Sequence, residues 1–124
     1  MRDLFSDHTR IQRMLNFEAA LARAQARVGV IPAAAADAIE KNCTASQFDF
    51  AALTRDAELA GNLAIPLVKQ LTALVAKNDV EAAKFVHWGA TSQDVIDSGL
   101  VLQLRDALDL IERGLAELAR ALGN

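Results

Sequence analysis

Residues 92–124 read SQDVIDSGLVLQLRDALDLIERGLAELARALGN, and this is the longest regular pattern in the chain. Its apolar residues recur at intervals of three and four, the periodicity of one face of an α-helix. The resulting stripe consists of Val101, Leu104, Leu108, Ile111, Leu115, Leu118 and Leu122. An a/d-type stripe is typical of a helix that packs against other long helices. The pattern therefore predicts one helix of about 30 residues, roughly 45 Å long.

A helix of that length needs more neighbours than the rest of the chain offers. Further apolar residues lie beyond the stripe, namely Leu100, Leu102, Ala107, Leu110 and Ala121. A helix that is apolar on more than one side is covered by several partners. We therefore expect either that the chain oligomerises through this helix or that it is the front piece of a larger protein. The end at Asn124, directly after the helix and without a closing element, favours the second.

The sequence pattern before residue 92 predicts only shorter helices. Apolar spacing and cap residues place them at about residues 8–28, 33–41, 50–60, 63–77 and 80–85. On the first helix we expect Glu18 to lie with the arginines on the outer, polar face. Pro66 lies inside the fourth pattern and should kink or restart that helix. No strongly alternating segment is present, so the sequence predicts an all-α protein.

Composition excludes several classes of function. The chain of 124 residues is 52% hydrophobic and 23% charged, as expected for one folded domain. Its net charge of −3 argues against nucleic acid as a partner. No apolar run reaches the roughly 20 residues of a membrane span, and the N-terminus lacks an apolar signal core, so we expect a cytoplasmic protein. One cysteine, Cys43, and two histidines without ligand spacing predict neither a disulfide nor a metal site.

The polar groups are concentrated in FVHWGATSQD, residues 85–94, at the mouth of the long helix. Thr91, Ser92 and Asp94 form an N-cap signature there. The free N–H groups and positive dipole of a helix start attract a carboxylate or phosphate, and the His87 imidazole could complete such a site. The simpler alternative is that Thr91 or Ser92 only caps the helix, while His87 and Trp88 fill a corner of the core.

Three segments resemble the fumarase/aspartase superfamily. They are HWGATSQD at residues 87–94, which resembles the first active-site segment of that superfamily, FEAALA at 17–22 and ELAGN at 58–62. Within the superfamily the chain most resembles the 3-carboxy-cis,cis-muconate cycloisomerases of protocatechuate catabolism, the β-ketoadipate pathway. The resemblance extends over essentially the whole chain. It implies an all-α fold with an N-terminal helical domain at residues 1–91 and the first helix of a central bundle at 92–124.

The resemblance also implies an activity and a site. Members are homotetramers whose active sites combine three subunits, and they need no cofactor or metal. The reaction interconverts 3-carboxy-cis,cis-muconate and a carboxymuconolactone. Carried over by position, the residues that bind the small polycarboxylate substrate are His87, Thr91, Ser92, Gln93 and Asn62. Trp88 becomes a wall or packing residue, and Gln93 with Asp94 also orders the turn.

Two departures from the family pattern limit this interpretation. Adenylosuccinate lyases, a sister branch, carry a histidine near the place of Asn62. The later histidine-bearing segment and the serine-rich loop, which carry the proposed acid and base, are absent, so we expect this chain alone to be inactive. Two alternatives stay open: another lyase of the superfamily, such as an adenylosuccinate lyase, or a non-catalytic helical module that assembles through the long helix.

Overall fold

The computed structural model describes residues 1–123, and these form six α-helices and two short 3-10 helices. The α-helices are α1 (Asp7–Arg27), α2 (Ala33–Lys41), α3 (Phe50–Ala60), α4 (Ala64–Ala76), α5 (Val80–Ala83) and α6 (Ser92–Leu122). The 3-10 helices span Arg2–Phe5 and Ala45–Gln47. No strand occurs in this part of the chain, so the all-α prediction is confirmed. The helix expected over 80–85 ends at Ala83, and turns follow it as far as Gly89.

Helix α1 is the central element, because both α2 and the first half of α6 pack along it. The Ser6 hydroxyl caps it by accepting from the backbone N–H of Thr9 at 3.2 Å. Its buried stripe consists of Ile11, Met14, Leu15, Glu18, Ala19 and Ala22. The expectation that Glu18 lies on the outer face is therefore wrong. Glu18 follows Leu15 by three residues and precedes Ala22 by four, which places it on the apolar side of the helix.

Helix α6 meets α1 through small and polar residues rather than through its leucine stripe. Its buried residues are Val95, Gly99, Gln103 and Ala107, one on each successive turn. A Cβ atom at Gly99 would lie 2.8 Å from the Met14 Cγ, so the two helices approach closely there. Farther along, the Gln103 Nε2 donates to the Leu4 carbonyl at 2.8 Å. The close packing of α6 on this chain thus ends near Ala107.

The predicted apolar stripe of α6 faces away from the rest of the described chain. Its seven side chains, from Val101 to Leu122, are between 45% and 78% exposed. The prediction that this stripe packs against other long helices is compatible with that exposure, because nothing in residues 1–123 covers it. The proposed division at residue 91 stays a prediction, since α6 packs firmly on α1 in its first half.

The break between α3 and α4 is a true restart of the helix. Gly61 ends α3 in the left-handed conformation at φ 79°, which glycine adopts without strain. The Asn62 Oδ1 then accepts from the backbone N–H of Ile65 at 3.2 Å. Pro66 lies in the first turn of α4, where a backbone N–H has no partner within the helix. The restart alternative for Pro66 is thereby confirmed, and its missing donor costs the helix no hydrogen bond.

Candidate anion-binding site

A tight turn between α5 and α6 presents the His87 side chain to α1. His87 has φ 56° and Gly89 has φ 70°, so the turn uses the left-handed region twice. Glycine enters that region freely, whereas a histidine there is uncommon and is kept only when its surroundings hold it. His87 is the only non-glycine residue with positive φ among residues 1–123. The backbone conformation therefore marks His87 as a constrained position.

Two side chains of α1 hold this turn in place. The His87 Nδ1 lies 2.5 Å from the Glu18 Oε1, and these side chains are 14% and 1% exposed respectively. About two helical turns farther along α1, the Gln25 Nε2 donates to the Trp88 carbonyl at 2.7 Å. The turn is thus anchored through one side chain and through the adjacent backbone. This double contact fixes the position of the His87 ring relative to α1.

The surroundings of His87 favour its protonated form. The hydrogen bond to Glu18 is the main cause of a raised pKa of His87, and burial of the ring opposes that rise. The charges of Glu18 and Asp94 and the nearby Thr91 carbonyl raise the pKa further. A protonated imidazole has two N–H donors, and Nδ1 uses one of them on Glu18. His87 therefore takes up a proton more readily than an ordinary histidine, next to the start of α6.

The N-cap of α6 uses the Thr91 hydroxyl but not that of Ser92. The Asp94 carboxylate accepts from the Thr91 backbone N–H at 2.7 Å and from the Thr91 hydroxyl at 3.1 Å. These two bonds, together with the His87 charge, hold the pKa of Asp94 below its ordinary value. The half-buried Ser92 hydroxyl has no hydrogen-bond partner within residues 1–123. Ser92 is therefore the hydroxyl that remains free to donate to a ligand.

The arrangement has the chemistry of a carboxylate site. The first N–H groups of a helix have no partner within the helix, and the dipole favours negative charge at that end. The raised pKa of His87 adds positive charge beside this end. A carboxylate placed there would accept from backbone amides, from the Ser92 hydroxyl and from an imidazolium. Helix capping by itself explains Thr91 and Asp94 but not the raised pKa of His87.

Comparison with known proteins places the chain in a family. The family model described as Lyase matches residues 1–124. The chain belongs to this family, that of fumarase and aspartase. It is 59% identical over 122 residues to the 3-carboxy-cis,cis-muconate cycloisomerase of Bradyrhizobium diazoefficiens, which covers 98% of this chain and 26% of that protein. The protein of the same name from Pseudomonas putida is 57% identical over 122 residues, and the match covers 98% of this chain and 29% of that protein.

A solved structure of the family shares the fold described above. The crystal structure of the 3-carboxy-cis,cis-muconate lactonizing enzyme from Pseudomonas putida superposes with a TM-score of 0.93 at 57% identity. The superposition covers 95% of this chain and 27% of that structure. The resemblance inferred from the three sequence segments is thereby confirmed, as is the superfamily fold. The chain spans about a quarter of the length of the curated relatives it matches.

The family site predicted from sequence is only partly assembled within this chain. His87, Thr91 and Ser92 lie together at the start of α6, and Gln93 adjoins them. The exposed Gln93 amide donates to the Asp97 Oδ1 at 2.6 Å along the helix. Asn62 lies at the α3–α4 break, and no hydrogen bond in the described chain joins it to the His87 turn. The substrate-binding roles of all five residues stay predictions.

Trp88 does not fill a corner of the core. Its side chain is 49% exposed, and its ring centroid lies 5.7 Å from that of Phe85 at an interplanar angle of 60°. The simpler alternative, in which Trp88 is a core residue, is therefore wrong. The indole lies at the surface beside the His87 turn, because the backbone of Trp88 and not its side chain is bound to α1. An exposed ring at that place fits a wall of the site.

Glu18 is the residue of the candidate site that could not be identified from the sequence. The FEAALA segment at residues 17–22 drew attention only as a family resemblance. A usable signal was nevertheless present, because a glutamate on the apolar stripe of a helix is buried only when it is paired. The partner, His87, lies 69 residues away, and no local pattern connects the two.

The described residues offer little for thiol chemistry or metal binding. Cys43 is buried, and burial together with the charge of Glu18 raises its pKa to about 12. A thiol held in its neutral form is a poor nucleophile. No group of His, Cys, Asp and Glu side chains in residues 1–123 could hold a metal ion. Over the same residues, no helix has both the length and the apolar character needed to cross a membrane.

Proposed function

We propose that the protein carrying this chain is a cytoplasmic cycloisomerase of protocatechuate catabolism that converts 3-carboxy-cis,cis-muconate into a carboxymuconolactone. The chain contributes part of the substrate-binding site, at the start of α6. The observation that carries this proposal is that the His87 imidazole, with its raised pKa, and the free Ser92 hydroxyl both belong to the segment that begins α6. Whole-chain identity of 59% to a cycloisomerase supports the choice of branch within the family.

The chemistry of the reaction makes use of such a site. In lactonisation, a substrate carboxylate oxygen adds to a carbon–carbon double bond, and a proton adds to the neighbouring carbon. Negative charge develops next to another carboxylate along this path, in an enolate-like carbanion. Donors held in place before the reaction stabilise such charge without reorganising. The imidazolium of His87 and the hydroxyl of Ser92 would bind that carboxylate and strengthen their hold as the charge grows.

We further propose that the protein is a homotetramer held together by α6. The seven exposed side chains of the predicted stripe lie on one helix of 31 residues. Continuous apolar surface of this kind marks an interface in soluble proteins. The superfamily resemblance implies sites that combine three subunits. That arrangement would allow the Asn62 of one subunit to complete the His87 site of another.

The test is turnover of 3-carboxy-cis,cis-muconate, followed by the loss of its ultraviolet absorbance, in the protein carrying this chain. Ser92→Ala removes one charge-assisted hydrogen bond, so binding should weaken roughly ten- to a hundredfold. Ser46→Ala, at an exposed position in the Ala45–Gln47 helix, is the matched control and should retain the original KM. The 124-residue chain alone should not convert the substrate, because the family's acid and base belong to later segments.

Other outcomes point to the alternatives. Unchanged KM and kcat in Ser92→Ala would reduce Ser92 to an ordinary first residue of a helix. Cleavage of a succinyl-nucleotide in place of carboxymuconate would move the protein to the adenylosuccinate lyase branch. Assembly without any binding of a polycarboxylate would indicate a non-catalytic helical module.

A further inference from the structure

The carboxylate of Glu18 is buried in a way that needs an explanation. Only 1% of the residue is exposed, and its Oε1 lies 2.5 Å from the His87 Nδ1. Its other oxygen, Oε2, has no hydrogen-bond partner within residues 1–123. A buried carboxylate is costly unless a cation or several donors compensate it. A hydrophobic residue of similar size would serve packing better, so a purely structural role for Glu18 is unfavourable.

The conformation of His87 is costly as well. A histidine at φ 56° is strained, whereas Gly89, at φ 70° in the same turn, adopts the left-handed region freely. Two hydrogen bonds from α1 stabilise this strained turn: Glu18 binds the His87 ring, and Gln25 donates to the Trp88 carbonyl. The buried carboxylate of Glu18 and the strained backbone of His87 thus belong to the two partners of one hydrogen bond. Both unfavourable features are explained if their purpose is to fix the orientation of the imidazole.

Within residues 1–123, the groups that act on the charge of the ring are acidic or neutral, and none is a cation. The charged groups that face it are Glu18 from α1 and Asp94 from α6, and the Thr91 carbonyl lies close by. Cys43, which lies near Glu18, is kept neutral by its own raised pKa of about 12. The arrangement therefore favours a proton on each ring nitrogen. With Nδ1 bound to Glu18, Nε2 is the donor that remains.

We propose that Glu18 is a positioning residue of the anion site: its Oε1 fixes the His87 ring through Nδ1, so that Nε2–H is presented to a substrate carboxylate. The inference rests on the proposed function for the identity of that carboxylate. The proposal adds Glu18, a residue outside the HWGATSQD segment, to the proposed substrate site. Glu18 touches neither substrate nor reacting atoms and acts through His87 alone.

The first test follows His87 in the 124-residue chain by NMR titration. In Glu18→Gln, which preserves size and removes the charge, the titration of His87 should move to lower pH. The control is Glu40→Gln, which removes an exposed carboxylate paired with Arg23 of α1. This control should leave the titration of His87 unchanged. A His87 titration unchanged by Glu18→Gln would overturn the proposal.

The second test separates positioning from packing in the protein carrying this chain. Glu18→Gln should raise the KM for carboxymuconate roughly tenfold at pH 8, because loss of the Glu18 hydrogen bond lowers the pKa of His87 and leaves less imidazolium to bind the carboxylate. The KM should return toward the original value near pH 6, because the imidazolium forms again. A packing defect would raise KM equally at both pH values and would overturn the proposal, as would an unchanged KM. Absence of carboxymuconate turnover in the unmodified protein would instead contradict the proposed function, whatever the NMR result.

Discussion

At the scale of single residues, the site depends on the hydrogen-bonded pair of Glu18 and His87. Glu18 lies on the apolar side of α1, and His87 lies in a strained turn 69 residues later. Neither residue would be comfortable alone, because a lone buried carboxylate is uncompensated and a lone histidine at positive φ is unsupported. Together they hold a readily protonated ring near Thr91 and Asp94 at the start of α6. The free Ser92 hydroxyl at the same helix start then completes the donor set.

The pair makes stability depend on pH. Folding raises the pKa of His87, mainly through the hydrogen bond to Glu18, so the folded chain binds its proton more tightly than the unfolded chain. The resulting stability is complete below the unfolded value of about 6.5 and is lost as pH rises from there through the raised pKa. Urea unfolding of the chain and of Glu18→Gln should therefore give a difference in free energy that is larger at pH 5.5 than at pH 8. A difference that grows with pH would contradict the assignment of charge to this pair.

At the scale of elements, α6 has two faces with different tasks. Over its first half, small and polar residues let it approach α1 closely, and Gly99 marks the point of closest contact. The leucine stripe turns away and is exposed along its whole length. One helix thus belongs both to the body of this chain and to whatever covers the stripe. Its start carries the site, so the packing against α1 also determines where the donors point.

The two helical glycines of α6 test this division. Gly99→Ala would bring Cβ to 2.8 Å from the Met14 Cγ and 3.3 Å from the Met14 backbone N, so the helices must separate. We expect a loss of about 1–3 kcal/mol in the free energy of unfolding. Gly114→Ala meets nothing within 4 Å and should stabilise the chain by about 0.5–1 kcal/mol through helix propensity. Urea denaturation measures both, and equal effects would show that α6 does not approach α1 closely at Gly99.

At the scale of the whole molecule, the exposed stripe makes isolation unfavourable. Side chains such as Leu108 and Leu115, 64% and 60% exposed, would each gain from burial against a partner. No part of residues 1–123 folds back over them. The proposed tetramer would remove this surface from water and would bring α3–α4 breaks of neighbouring subunits toward the His87 sites. Assembly and catalysis would then depend on the same helix.

Charge placed on the stripe should therefore disrupt assembly. Leu108→Glu combined with Leu115→Glu puts two carboxylates into the proposed interface, and light scattering of the protein carrying this chain should show a smaller species. Val80→Glu is the control, since Val80 is 65% exposed and begins α5, where an acidic residue suits the helix dipole. It should leave the mass unchanged. A double variant that keeps the original mass would assign assembly to another surface.

Much of the molecule could be predicted from the chain alone, because the signals are local. Apolar spacing, cap residues such as Ser6 and Asp49, and the Gly61 stop identify the helices. The length of α6 and the concentration of polar groups at its start could also be predicted from the sequence pattern. The HWGATSQD segment pointed to the family, since its residue types and spacing are held together in eight consecutive positions. All of these features depend on neighbours a few residues apart.

The tertiary structure alone decided which surfaces and side chains meet. Helix α6 is apolar on more than one side, so its periodicity could not tell that Val95, Gly99, Gln103 and Ala107 face α1 while the leucines do not. The burial of Glu18, its bond to His87 and the free hydroxyl of Ser92 likewise required the folded chain. The physical reason is that these outcomes depend on contacts between residues far apart in sequence, whose free energies appear only once the helices have packed.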